Sequence, residues 1–214
     1  YDEKKMGDNF PKEKVKVASI TQKIFKWTKN QRFCLPFMPL AVESFDFSDY
    51  DVVLCSSSWF AHWAITKPET KFIVYYHSPA RYLWDWTNEY KKDIGFDKWI
   101  KWYILNKLFL NLRKWDFIAS KRVDISLANS TNVMRRIEKY YRKDSSLVYP
   151  PVETTRFMPG EKWDYYIIIS ALTEFKKIEV AIEAFNKMSD KKLKIVWDWN
   201  YKANLESMKT SKNI

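Results

Sequence analysis

The chain has 214 residues, 46% of them hydrophobic and 29% charged, with a formal net charge of +11. That balance excludes a disordered segment, and no apolar run reaches the ~18 residues that would span a membrane. The positive surplus favours polyanionic partners (nucleic acid, anionic lipid or phosphorylated small molecules) without choosing among them. In chain order, residues 15–24 and 51–56 carry the first periodicities. Residues 50–58 form a short apolar run ending in small polar residues, which predicts a buried parallel strand entering a loop. Residues 71–79 repeat that form, with the strand running into His77 and stopped by Pro79. A long helix is predicted over roughly 97–121, where apolar and basic residues interleave, either packed on the sheet or lying on a membrane surface. Residues 124–130 predict a third strand, with Asn129, Ser130 or Thr131 capping a helix over 133–141. A fourth strand is predicted at 146–151, followed by linker composition to residue 162. Beyond it come a strand at 164–170, an amphipathic helix at 178–188 and a strand at 193–196. Strands alternating with helices imply βαβ units and parallel sheets. The α/β chain therefore divides into two Rossmann-like domains, 1–158 and 159–214.

Eleven tryptophans stand against three glycines, where ordinary usage would give about 7% glycine. Several tryptophans occupy turn-like places, as in Ser58-Trp59-Phe60-Ala61-His62-Trp63 and Val196-Trp197-Asp198-Trp199-Asn200. With glycine at 197 and 199, the second segment becomes a common strand-to-loop sequence of nucleotide-binding domains. The expectation is UGA recoding: codons read as glycine in the source organism but translated here as tryptophan. Glycine at 59, 63, 197 and 199 is then expected to relieve backbone strain. A Trp-rich protein with aromatic sugar platforms is the alternative. Cys34 and Cys55 lie in apolar surroundings without metal-ligand spacing, which reads as two reduced, buried thiols in a cytoplasmic protein. The opening Tyr1-Asp2-Glu3-Lys4-Lys5 is neither an initiator methionine nor a signal peptide, and Lys212-Asn213-Ile214 closes no element. The chain is expected to be a fragment of a longer protein.

Tyr76-His77-Ser78-Pro79-Ala80-Arg81-Tyr82-Leu83-Trp84-Asp85 resembles the His-Thr-Pro-x-Arg-Tyr-Leu-Trp-Asp segment of family 4 glycosyltransferases (glycosyl transferases group 1). The likeness is to the mannosyltransferase-like branch of bacterial O-antigen and exopolysaccharide synthesis. Other segments follow the family's order. Residues 36–43 and Ser56-Ser57-Ser58 precede it; Trp115-Asp116, Arg122-Val123-Asp124, Ala128-Asn129-Ser130 and Arg136-Ile137 come after. Tyr149-Pro150-Pro151-Val152-Glu153-Thr154 and Ala181-Ile182-Glu183-Ala184-Phe185-Asn186 complete the series. The family commonly has glycine where Trp59, Trp63, Trp197 and Trp199 stand here, and tryptophan at Trp84 and Trp115.

The resemblance implies the glycosyltransferase B architecture, two Rossmann-like domains facing across a cleft, both incomplete here. Residues 1–158 would form the acceptor side, lacking the first strand and glycine-rich loop; residues 159–214 would begin the nucleotide-sugar side. It implies a retaining hexosyltransferase that moves mannose from GDP-mannose to a glycan or polyprenyl-diphosphate-linked acceptor. No metal or other cofactor is implied, and the fragment alone is expected to be inactive. His77 is the implied catalytic residue, at a strand's carboxyl end where ligands of open α/β sheets gather. Arg81, four residues after His77, is expected to face the same cleft and bind donor, and its other reading is an ion pair with Asp85. Lys176 falls on the family's phosphate-binding lysine, with Lys177 beside it. Ala171 replaces the arginine that usually shares this work, a departure that recoding does not explain. The expected location is the cytoplasm, with peripheral contact at the anionic inner face of the plasma membrane. A nucleic-acid-binding protein is the alternative from charge and aromatics, disfavoured because no RNA-binding signature appears. A catalytically lapsed homologue that binds nucleotide sugar is the alternative from Ala171.

Overall fold

A computed structural model describes residues 15–16, 19–28, 31–93, 99–158, 160–172, 176–196 and 202–214. The chain divides into two compact units, Tyr1–Pro151 and Val152–Ile214, a division slightly before the 158/159 boundary expected from linker composition.

The first unit holds a four-stranded sheet in the order β1 (Val52–Ser57), β2 (Lys71–Tyr76), β3 (Ile125–Ala128), β4 (Ser146–Leu147). Every pair is parallel, with Cys55 beside Val74, Val74 beside Ser126 and Ala128 beside Leu147. β2 buries Phe72, Val74 and Tyr76 completely. β1 differs from its sequence pattern, which predicts a strand covered on both faces. It alternates, with Val53, Cys55 and Ser57 buried while Leu54 is 71% exposed. The reason is that the packing residues of this core meet only the Val53–Cys55 face among the described residues.

Helices supply the other half of each core. α1 (Ser19–Thr28), α2 (Met38–Glu43) and α3 (Thr87–Asp93) are short. α4 (Trp99–Ser120) matches the predicted long helix, and α5 (Thr131–Tyr141) starts two residues earlier than its apolar periodicity. Ser130 is the cap of α5: its hydroxyl accepts from the Val133 N–H at 3.3 Å. Val133, Ile137 and Tyr141 of α5 pack on the strands. Leu105, Phe109, Leu112 and Ala119 of α4 pack against Phe60, Trp63, Ala80, Tyr82 and Leu83 in a second core. Apolar burial of this kind is the main stabilising contribution.

In the second unit β5 (Tyr165–Ile169) and β6 (Lys192–Val196) pair in parallel through α6 (Ile178–Asn186), a βαβ unit. Leu172, Ile178, Ile182 and Leu205, the last from α7 (Lys202–Ser207), form its core.

Trp197 and Trp199 lie outside the described residues. Among the described non-glycine residues positive φ occurs at Arg142 (49°) and Lys177 (52°), so the positive-φ form of the strain expected at Trp59 and Trp63 is absent. Trp63 is instead fully buried. Cys34 and Cys55 are free and buried, and burial pushes the Cys55 thiol up to about 11.

Candidate functional site

Parallel strands bring their carboxyl ends to one edge, where side chains from successive loops converge. Here β1 and β2 end together, since Ser57 registers with Tyr76. The His77 N–H donates to the Ser57 carbonyl at 2.8 Å, carrying the ladder one residue further. Strand alternation puts Tyr75 and His77 on one face, and Ser56 is the register partner of Tyr75. The outcome is a hydrogen bond between Ser56 Oγ and His77 Nε2 at 2.8 Å, exposed to solvent. The Tyr75 ring stands edge-on to the imidazole, 5.4 Å between centroids at 90°, and its hydroxyl donates to the Val148 carbonyl at 3.0 Å. When the serine hydroxyl donates to Nε2, Nδ1 carries the ring proton and can donate.

The chain after His77 is anchored by buried Pro79 and by turns, with the Leu83 and Trp84 N–H groups returning to Ala80 and Arg81 carbonyls. Arg136, on α5, closes this segment at both ends. One Nη donates to Ser78 Oγ at 3.0 Å and the other meets Asp85 Oδ2 at 2.6 Å. Arg81 lies 4.0 Å from the second Asp85 oxygen, with a side chain 54% exposed. Its guanidinium also sits over the Trp86 ring at 5.5 Å. Asp85 thus belongs chiefly to Arg136, and the expected Arg81–Asp85 pair is the weaker contact.

Beneath this edge lies Asp116, fully buried on α4. Trp63 Nε1 donates to one oxygen at 2.9 Å; Trp84 Nε1 and the Tyr141 hydroxyl donate to the other at 2.7 and 2.9 Å. His62 Nε2 is 3.1 Å from Oδ1 but out of line for a hydrogen bond, and its Nδ1 is 3.3 Å from Ser57 Oγ. A buried carboxylate requires such donors. Burial, reinforced by the Asp116 charge, pushes the Tyr141 phenol far above its ordinary value, so it stays a donor. Asp116 therefore ties α4 to the β1–β2 connection, the segment after His77 and α5.

In the second unit, Lys176 and Lys177 immediately precede α6. Lys177 is left-handed, and its ammonium lies 3.3 Å from Glu179. His77 and Arg81 thus share one segment of the first unit, and Lys176 and Lys177 are neighbours in the second. Sequence reading missed Ser56 and Arg136 as site residues, although both fall in segments that carry the family resemblance. The strand register signals Ser56; nothing local signals Arg136, whose partners lie far upstream.

A family model described as Glycosyltransferase Family 4 matches residues 5–156. No curated protein matches the chain.

Proposed function

The chain belongs to glycosyltransferase family 4, and on that premise we propose that it moves mannose from GDP-mannose to a glycan or polyprenyl-diphosphate-linked acceptor, with retention, in cell-surface polysaccharide synthesis. Glycosyl transfer needs a nucleotide-sugar donor and an acceptor hydroxyl. The bond from the anomeric carbon to the diphosphate oxygen breaks, and its electron pair leaves with the diphosphate. The acceptor oxygen bonds to that carbon on the same face, and its proton passes to the departing phosphate oxygen.

The observation that carries this reading is the exposed His77 at the end of β2, with Nε2 engaged by Ser56. With the Ser56 hydroxyl donating to Nε2, Nδ1 is the donor for a sugar hydroxyl or a phosphate oxygen. A preoriented donor of this kind holds the sugar and stabilises charge developing on the leaving group. Arg81, exposed at the same segment and only loosely tied to Asp85, adds a cation for the donor. Lys176 and Lys177 would face the diphosphate; their place before the α6 N-terminus supports this, because helix N-termini favour anions.

Turnover of GDP-mannose by the protein expressed from its own gene, read by product mass spectrometry, tests the reading. His77→Ala should lower turnover by roughly 10²-fold, and near-wild-type turnover in a folded variant would remove His77 from the site. Lys176→Ala should weaken nucleotide-diphosphate binding by about 1.5–3 kcal/mol. Donor binding without turnover would mark a lapsed homologue, the alternative that Ala171 raises.

A further inference from the structure

We infer that His62 is a positioning residue for His77, working through Ser57 from the buried side of β1. Its catalytic meaning rests on the transfer role proposed above for His77. The chain has two histidines, and the consecutive serines that end β1 take one each. Successive strand residues face opposite ways. Ser56 meets His77 on the exposed face, Oγ to Nε2 at 2.8 Å. Ser57 meets His62 on the buried face, Oγ to Nδ1 at 3.3 Å. The two bonds share a backbone, because the Ser57 carbonyl also accepts the His77 N–H at 2.8 Å.

Ser57, His62 and Asp116 stand in the order hydroxyl, imidazole, carboxylate, with His62 Nε2 3.1 Å from Asp116 Oδ1. All three are buried, so the arrangement holds rather than reacts. The His62 ring is wedged against Tyr76 and Tyr141, with centroids 5.3 and 5.5 Å away. A bare lone pair on Nε2 would face the carboxylate oxygen, acceptor against acceptor. Nε2 therefore carries hydrogen, which leaves Nδ1 to Ser57. The outer bond needs that inner support. An exposed serine hydroxyl trades its partner for water at little cost, and β1 is an edge strand among the described residues. A bond shielded from water on the other face of the same strand end holds the backbone, and with it Ser56, in one place. Asp116 extends the hold to the far side of His77, because its other oxygen accepts from Trp84 Nε1 at 2.7 Å.

The test reads both imidazoles of the nitrogen-labelled 214-residue chain by long-range nitrogen–proton NMR. The measurement is made near pH 8.5, roughly two pH units above the ordinary imidazole value. His62 is expected with hydrogen on Nε2, and His77 mainly with hydrogen on Nδ1. Ser57→Ala removes one buried oxygen and should lower the Nδ1–H to Nε2–H ratio of His77 about threefold, a fraction of one hydrogen bond's net strength. His62→Asn keeps a polar atom near the place of Nδ1, and His62→Gln keeps one near the place of Nε2. His62→Asn should therefore preserve the His77 tautomer and His62→Gln should lose it. A merely structural role beside Asp116 predicts the reverse order. Turnover by the protein expressed from its own gene should follow the tautomer, with kcat about tenfold lower in Ser57→Ala and KM little changed. A wild-type His77 tautomer in Ser57→Ala, no hydrogen on His62 Nε2, or His62→Gln matching His62→Asn would overturn the proposal. So would wild-type kcat in a variant whose His77 tautomer has shifted. Turnover absent from every protein, wild type included, while the tautomer still shifts would instead overturn the transfer role and leave the anchoring of His77 standing.

Discussion

Asp116 and Asp85 are both carboxylates held by side chains of α5, yet one is fully buried and the other sits at the rim. Asp116 takes its hydrogen bonds from neutral donors: the indoles of Trp63 and Trp84 and the phenol of Tyr141. Asp85 takes a guanidinium, Arg136 at 2.6 Å, with Arg81 loosely attached on its other oxygen. The buried carboxylate takes its hydrogen bonds inside the fold and fixes the geometry of three segments. The rim cluster leaves a cation and an imidazole facing solvent, where charge can meet a substrate. Burial, more than residue type, separates the polar groups that shape this unit from those available for chemistry.

The largest expected effect tests the buried side. Asp116→Ala strands two indole N–H groups and a phenol, and should cost about 3–5 kcal/mol of a total that is roughly 5–15 kcal/mol. A chemical denaturation midpoint near wild type would mean that these donors find other partners. Trp63→Gly comes next. It removes a fully buried indole and one Asp116 donor, so the geometry predicts a loss of about 3 kcal/mol or more. A rise in melting temperature instead would identify Trp63 as an intruder at a glycine site, as the glycine-to-tryptophan inversion leads one to expect.

The same cluster makes the fold alkali-sensitive. Tyr76, Tyr82 and Tyr141 are all held above the ordinary phenol value of 10.0, by burial first and by the Asp116 charge second. Near pH 10 the unfolded chain releases protons that the folded chain keeps. Stability is therefore whole below that pH and falls above it, by on the order of 1 kcal/mol per pH unit for each phenol. Tyr141→Phe should flatten part of the fall; an identical pH profile would show that this phenol titrates freely. On the rim, Arg136→Met should slow turnover about tenfold through a loosened His77 segment, and Arg136→Lys should recover part of it. Equal activity in all three proteins would mean that His77 is positioned without Arg136.

Much of this contrast was legible in the sequence, and its limits are physical. The strands at 52–57, 71–76 and 125–128 follow from apolar runs ended by serine, histidine and asparagine, because such runs have few alternatives to a parallel sheet. Ser130 was one of three possible caps, and only geometry chose it. His77 was placed at its strand end by pattern and by resemblance. Arg136 was not legible as a site residue because α5 looks the same locally whether it points at Ser78 and Asp85 or at water. Nor was the open face of β1, since a continuous apolar run does not tell one covered face from two. The Asp116 cluster joins residues as far apart as Trp63, Trp84 and Tyr141, a distance that no local period encodes.

The smallest expected effect completes the comparison. Trp59 is 44% exposed and touches Phe60 and Tyr82 at ring-centroid distances of 5.2 and 5.3 Å. It donates nothing to Asp116, and its backbone is not left-handed. Trp59→Gly therefore loses only partial ring contacts, about 1 kcal/mol, and should move the melting temperature far less than Trp63→Gly does. The pair of variants separates two causes that either one alone would confound. If packing governs both positions, the losses scale with burial, large at 63 and small at 59. If both are glycine sites read as tryptophan, the two substitutions are stabilising together, and the larger gain comes at 63, where the bulkier misfit has been forced into the core.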